Sequence, residues 1–149
     1  MQATQPNSGT TQATTDGDIK RYKVSEQFSD LEVTLEVDHS ILTTERAKLI
    51  NEFWSNHEWR AAEEEGDHVR AVIRMAGADI ARLMLERGQG ASFGTNNTEL
   101  GKIWSEKFRD EEGWGSEDGT PFSRCGIRVI AASVEVPGFD EFQVEEVQS

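Results

Sequence analysis

The strongest constraint on how this chain folds is an apolar stripe in DHVRAVIRMAGADIARLMLERG, residues 67–88. Its larger apolar residues recur at intervals of three and four, the spacing that places side chains on one face of an α-helix. Asp67 is a suitable N-cap and Gly88 a suitable end, so the stripe predicts one long amphipathic helix. The apolar face consists of Val69, Val72, Ile73, Ala76, Ile80, Leu83 and Met84.

The clearest strand signal is LEVTLEVD, residues 31–38, in which apolar and polar side chains alternate. A period of two is typical of a strand with one buried and one solvent-exposed face. The exposed face would carry Glu32, Glu36 and Asp38 and would form an acidic stripe. Upstream, RYKVSEQF at residues 21–28 either extends this strand or forms a separate short one.

Two shorter helices are predicted, one on each side of the long helix. The first begins at a threonine cap, Thr43 or Thr44, and its apolar face ends one turn before His57. The second is capped by Asn96 or Asn97, after a glycine-rich connection. The predicted inward residues of these two helices are Leu49, Ile50, Phe53, Trp54, Leu100, Ile103, Trp104 and Phe108.

Two more strands are predicted near the C-terminus. In GIRVIAASVEV, residues 126–136, the apolar positions change parity, and a bulge near residues 132–133 would reconcile them. The last strand is FDEFQVEEV, residues 139–147, with Phe142 and Val144 pointing inward. Helices segregated from strands favour an α+β fold, a small antiparallel sheet with two to three helices packed on one face.

The chain is expected to contain one domain and a tail. After Met1, no apolar residue larger than alanine occurs before Ile19, and such a segment cannot offset the entropy lost on ordering. We therefore expect a disordered tail at residues 1–20 and a single α+β domain at residues 21–149. With one cysteine, Cys125, no internal disulfide can form, and a cytoplasmic location is expected.

The net charge restricts the possible partners. The 15 basic and 28 acidic side chains give a formal charge of −13. A chain this acidic repels phosphate backbones and anionic lipids, so neither nucleic acid nor a membrane is an expected partner. A basic protein surface is expected instead, such as that of a nucleic-acid-binding complex.

The stretch NHEWRAAEEEGDHVRAV, residues 56–72, raises the question of a metal site. His57 and His68 are eleven residues apart, whereas a helical pair of zinc ligands is spaced as in H-E-x-x-H. We therefore expect no metal and no cofactor. No carboxylate pair stands out as catalytic, and Cys125 is more typical of a small buried side chain than of a nucleophile.

The candidate binding residues are carboxylates in the predicted strand, in the turn before the long helix and in the loop RDEEGWGSEDGTPF. Trp114, in that polar loop, is the candidate apolar anchor, because tryptophan is enriched at interface hot spots. Trp59 is expected to fold back as a lid on the core. The acidic candidates are Glu32, Glu36, Glu63, Glu64, Glu65, Asp110, Glu111 and Glu112.

Three stretches resemble an uncharacterised family of small acidic bacterial proteins, a domain of unknown function carried by plasmids, phages and integrated elements. They are LEVTLEVDHSILTTERAKLINEFWSNHEWR, GDHVRAVIRMAGADIARLMLERG and DGTPFSRCGIRVIAASVEVPGFDEFQVEEV. The resemblance covers roughly residues 30–147 and implies an accessory protein of a mobile element inside a bacterial cell. It assigns no activity to any residue.

Three functions remain open. The first is a non-enzymatic binding protein that inhibits host nucleic-acid-handling or defence machinery, an anti-CRISPR-like protein whose carboxylates imitate DNA phosphates. The second is a small hydrolase that uses glutamate and histidine, or a metal-dependent enzyme. The third is a homodimeric structural or accessory protein whose copies pair through their sheets or through the loop of Trp114.

Overall fold

The computed structural model describes residues 18–148, and within this range four strands form one antiparallel sheet in the order β1-β2-β4-β3. The strands are β1 (Ile19–Ser25), β2 (Glu32–Asp38), β3 (Gly90–Phe93) and β4 (Ile127–Glu135). The helices in the same range are α1 (Thr44–Glu52), α2 (His57–Glu63), α3 (His68–Gly88) and α4 (Thr98–Arg109). The predicted α+β class is confirmed, with four helices in place of two or three.

The strand predicted from LEVTLEVD is β2, which lies in the interior of the sheet between β1 and β4. Its alternate residues Val33, Leu35 and Val37 are buried against the helices, as the period of two predicts. RYKVSEQF contributes to β1, a separate strand that pairs with β2 throughout its length. A tail was predicted at residues 1–20, of which residues 1–17 lie outside the described residues. Ile19 and Lys20 do not belong to a tail, because they are the first two residues of β1.

In β4 the buried side chains change from odd-numbered to even-numbered positions. The cause is a β-bulge, as predicted, and it lies two residues before the predicted position. Thr34 pairs with Ala131 and Leu35 with Val129, so Ile130 is the extra residue. Before the bulge Ile127 and Val129 point into the core, and after it Ala132 and Val134 do.

The apolar stripe of α3 covers the core face of the sheet. Asp67 caps the helix by accepting a hydrogen bond from the backbone N–H of Arg70, as predicted. Gly77 lets the helix approach β1 closely, since a Cβ there would lie 2.4 Å from the Cβ of Val24. The buried residues of the stripe are Val72, Ile73, Ala76, Ile80, Leu83 and Met84.

Helix α4 lies along the part of the β4 edge that β3 leaves free. The Ser105 hydroxyl contacts both the backbone N–H and the carbonyl of Val129, at 2.9 and 3.4 Å. The side chain of Arg109 donates to the carbonyl of Ile127 at 3.1 Å. These side chains satisfy backbone groups of β4 that a neighbouring strand would otherwise bond.

Three predictions about elements are wrong. The glycine-rich connection contains β3, and the first predicted helix is divided, with α1 ending at Glu52 and a second helix, α2, beginning at His57. The predicted last strand is absent from the described residues, where a short 3₁₀ turn at Phe139–Glu141 precedes irregular chain. Phe142 and Val144 are therefore exposed, because no neighbouring strand places them against a core.

Candidate protein-binding surface

Trp114, the predicted exposed anchor, is a core residue and only 1% exposed. Its ring packs on Trp54 and Phe108, with ring centroids 5.2 and 4.5 Å away. Its indole N–H donates to a carboxylate oxygen of Asp79 at 3.3 Å. The prediction is wrong because the loop folds inward, so Trp114 contacts no partner directly in this conformation.

Above Trp114, α1 exposes two large apolar side chains that were predicted to be buried. Leu49 is 68% and Phe53 53% exposed, and the two lie one turn apart on the same face of the helix. Phe53 packs edge-to-face on Trp54, which rests on Trp114. We call Leu49 and Phe53 the α1 patch; it is an apolar surface supported from below by two tryptophans.

The loop that carries Trp114 borders the α1 patch. Gly113 has a φ of +96°, and a Cβ there would lie 2.5 Å from the ring of Trp54 and 2.7 Å from that of Phe53. A glycine is therefore needed for the loop to pass this close. The neighbouring Glu112 is exposed, and this contact places it beside the patch.

The rim of the α1 patch carries both signs of charge. Glu45 and Glu52 on α1 and Glu112 in the loop are exposed, and no ion pair joins them to another described residue. Arg46 also borders the patch, but its guanidinium donates to the backbone carbonyl of Arg124 at 3.1 Å. An apolar centre with a polar rim is the usual composition of a protein interface.

Glu36, predicted to face a partner, is instead bound within the sheet. Arg128 donates to its carboxylate at 2.6 and 2.9 Å, and Arg21 donates at 3.1 Å. Burial acts to raise the pKa of Glu36, but the hydrogen bonds from the two arginines outweigh it and hold the pKa below its ordinary value. The carboxylate is thus neutralised inside the protein and cannot act as an electrostatic contact.

The other predicted carboxylates divide into paired and exposed groups. Glu64 is bound by Arg70 and Arg74, and Glu111 by Arg82 and Arg87. Glu32 lies 3.5 Å from Lys23, and Glu63 lies 3.9 Å from Arg74. Three candidates are exposed and have no such partner among the described residues: Glu65, Asp110 and Glu112.

The two histidines of residues 56–72 occupy helix starts. His57 opens α2 and is half-buried. His68 opens α3, and its Nδ1 is buried and has no hydrogen-bond partner among the described residues. Among the described residues no group of three or more His, Cys, Asp or Glu side chains could hold a metal ion.

Two further predictions concern Cys125 and Trp59. Cys125 is fully buried, as expected of a small core side chain, and burial raises the pKa of its thiol to about 11. Trp59 does not form a lid, since it is 62% exposed on α2. The prediction for Cys125 is thus confirmed and that for Trp59 is wrong.

A polar cleft of about 690 Å³ lies between α4 and the face of the sheet opposite α3. Its buried charges are paired with each other: Arg109 donates to both carboxylate oxygens of Glu117 at 2.8 and 2.7 Å. Arg109 also bonds the carbonyl of Pro121 at 2.9 Å, which fixes the loop before β4. The Arg109–Glu117 pair therefore holds a loop in place, and the α1 patch is the better candidate for binding.

The chain matches a known family over most of its length. A family model described as "Protein of unknown function (DUF2528)" matches residues 32–144, which includes every element from β2 to β4 and leaves β1 outside. Neither a curated protein nor a solved structure matches the chain. Among the described residues, no helix has the length and hydropathy needed to cross a membrane.

Proposed function

We propose that this chain, which belongs to the DUF2528 family, is a non-enzymatic binding protein that docks on a basic surface of another protein through the α1 patch. The observation that carries the proposal is the exposure of Leu49 and Phe53 on a support of buried tryptophan. Large apolar side chains that remain exposed on a rigid base are typical of interface hot spots.

The charge of the chain supports a basic partner. The formal charge is −13, and many arginines already bind carboxylates of the same chain. Two of the carboxylates without an ion pair among the described residues, Asp110 and Glu112, lie in the loop beside the patch. Such charges increase the association rate of an oppositely charged partner, while the apolar contact lowers its dissociation rate.

A biological setting is proposed as well. We place the protein in the bacterial cytoplasm, as an accessory protein of a mobile element that inhibits host nucleic-acid-handling or defence machinery. The acidity and the family resemblance support this setting. Imitation of DNA phosphates rests on fewer carboxylates than the sequence indicated, because Glu36, Glu64 and Glu111 are bound by arginines.

Affinity capture from the cell that encodes the protein tests the proposal. The tagged full-length chain and its Leu49→Asp variant serve as baits, with Phe28→Asp as the matched control, since Phe28 is another exposed apolar residue. The captured proteins are compared by quantitative mass spectrometry. We expect a basic protein to be retained by the wild type and by the control and to be depleted about tenfold or more with Leu49→Asp.

A different result would contradict the proposal. If every protein retained by the wild type is retained equally by Leu49→Asp, the α1 patch is not the binding surface. If the partner lost with Leu49→Asp is acidic, the patch binds but the electrostatic part of the proposal is wrong. Adding duplex DNA to the captured complex tests phosphate imitation, because DNA should displace a protein held in a nucleic-acid groove.

A further inference from the structure

The C-terminal segment, residues 139–147, has the pattern of a strand but pairs with no strand among residues 18–148, which the structure describes. Alternating apolar and polar residues led to its prediction as a strand. In the structure Phe139 is 96% and Val144 98% exposed, and Phe142 and Val147 are exposed as well. A run of large apolar side chains left entirely in water indicates a surface that is covered by something else.

Strand β1 offers an unpaired edge. It is the outer strand of the sheet, and no described strand pairs with its free side. An exposed strand edge presents free N–H and carbonyl groups that can accept an additional strand. The sequence of β1, IKRYKVS, contains three basic residues and no acidic one.

Beside this edge, an apolar groove of about 440 Å³ lies between α3 and the β1–β2 hairpin. Its apolar lining includes Val24, Leu31, Ala81 and Leu85, and the rim carries Arg74, Arg82 and acidic side chains. The inward side chains of β1 point toward the same face as the groove, since Val24 packs on α3 at Gly77. A strand added to β1 would direct every second side chain toward this groove.

We propose that the groove and the free edge of β1 receive the C-terminal segment, residues 139–147, of a second copy of this chain. With Phe142 and Val144 directed into the groove, Glu141 and Glu145 lie on the opposite face of the added strand. That face of β1 carries Arg21 and Lys23, which pair with Glu36 and Glu32 of β2 but remain largely exposed, so an acidic strand added at this edge meets basic side chains. The proposal is independent of the partner that binds the α1 patch.

The second copy is the occupant because each chain supplies both halves of the contact. One copy has an uncovered segment and an uncovered edge, and exchange of the two segments satisfies both edges in a closed two-fold dimer. Within its own chain the segment leaves the sheet after β4, and its large apolar side chains stay exposed. The opposite charges of the segment, FDEFQVEEV, and of β1 favour this pairing over pairing of two identical edges.

Sedimentation of the full-length chain over a wide dilution series tests the proposal. We expect a monomer–dimer equilibrium whose dissociation constant rises about tenfold or more in the double variant Phe142→Asp, Val144→Asp. Ala78→Trp should have the same effect, because Ala78 is an exposed residue at the groove and a large side chain there blocks it. Trp59→Asp and Ala62→Trp, at exposed positions on α2, are the matched controls and should leave the dimer unchanged.

A charge exchange distinguishes direct contact from a general effect on solubility. Lys23→Glu should weaken the dimer, and adding Glu141→Lys and Glu145→Lys to the same chain should restore it. Three results would overturn the proposal: a monomer at every concentration, a dimer indifferent to these changes, or a monomer in which Ala78→Trp alone makes the C-terminal segment sensitive to protease. The last result would mean that the segment occupies the groove of its own chain.

Discussion

Glu36 is held between Arg21 and Arg128, which reach its carboxylate from the strands on either side. Arg128 in turn lies over the ring of Phe122, 4.6 Å from its centroid, so the ion pair extends to the loop before β4. This arrangement depends on the register of three strands. A glutamate that appears from sequence to belong to a solvated stripe is therefore part of the cross-strand support of the sheet.

Replacing Glu36 by glutamine should lower the free energy of unfolding at neutral pH by about 1–3 kcal/mol, because hydrogen bonds between charged groups are lost. The pKa of Glu36 is lowered in the folded state. Its ion pairs therefore stabilise the fold fully above the ordinary glutamate pKa of about 4.3, and this stabilisation is lost as pH falls through the folded pKa.

Urea unfolding of the wild type and of Glu36→Gln at a series of pH values checks this expectation. The difference in stability between the two proteins should shrink as the pH falls from neutral toward about 3. Glu58→Gln, at an exposed position without an ion pair among the described residues, is the control and should show little difference at any pH. If the difference in free energy of unfolding between the wild type and Glu36→Gln stays constant with pH, the pKa of Glu36 is not lowered by folding.

Helix α3 connects most parts of the structure. Its buried stripe covers the sheet, α1 packs against it, and Asp79 on its other side accepts the hydrogen bond from Trp114. The exposed side carries Arg82, which binds Asp79, Glu86 and Glu111. Both the core and the support of the α1 patch therefore depend on this helix.

Ile80→Asp should prevent folding of the domain. Ile80 is fully buried in the stripe, and an unpaired carboxylate at such a site costs several kcal/mol, which approaches the whole stability of a domain. Circular dichroism and thermal melting measure the effect, with Ala62→Asp at an exposed position on α2 as the control. A cooperative melt of Ile80→Asp near the wild-type temperature would show that the stripe is not core.

Gly77→Ala should destabilise the protein, although alanine favours a helix by about 1 kcal/mol over glycine. The added Cβ would lie within 2.4–2.7 Å of three atoms of Val24, so α3 and β1 must move apart. Overpacking of this kind costs about 1–3 kcal/mol and outweighs the gain in propensity. Chemical unfolding measures the change in the free energy of unfolding. An increase would show that α3 and β1 accommodate the added methyl group at little cost.

The periodic parts of the fold could be predicted from sequence, while the rest depended on contacts between distant residues. The stripe of α3 and the alternation of β2 each repeat long enough to define an element and its buried face. The short strand β3 contains three small residues and depends on pairing with β4 for its existence. The segment 139–147 shows the opposite failure, since residues 141–145 alternate but no strand lies beside them among the described residues.

The candidate surface was harder to predict for the same reason. Leu49 and Phe53 fit the apolar face of α1, and only the packing of that helix on α3 decides which apolar residues are covered. Trp114 was assigned to the surface because its neighbours in sequence are polar, whereas its neighbours in space are Trp54, Phe108 and Asp79. Of the carboxylates in the same loop, Asp110 and Glu112 are exposed, whereas Glu111 is bound by Arg82 and Arg87.

Across the folded domain, the arrangement of charge separates two populations of acidic side chains. One population binds the arginines of the sheet and of α3 and contributes to the structure. The other lies in the loop near Glu112, at the end of α2 and in the C-terminal segment, where it produces the excess negative charge. The second population is free to attract a basic partner at long range, and this attraction should weaken with salt.

The most direct test is the kinetics of binding between the purified chain and its captured partner. Leu49→Asp should raise the dissociation rate and weaken binding by about thirtyfold, the effect of losing a hot-spot contact worth roughly 2 kcal/mol. Glu112→Lys should mainly slow association, and its effect should fade as salt is raised. An affinity unchanged by Leu49→Asp, at every salt concentration, would contradict the assignment of the α1 patch as the binding surface.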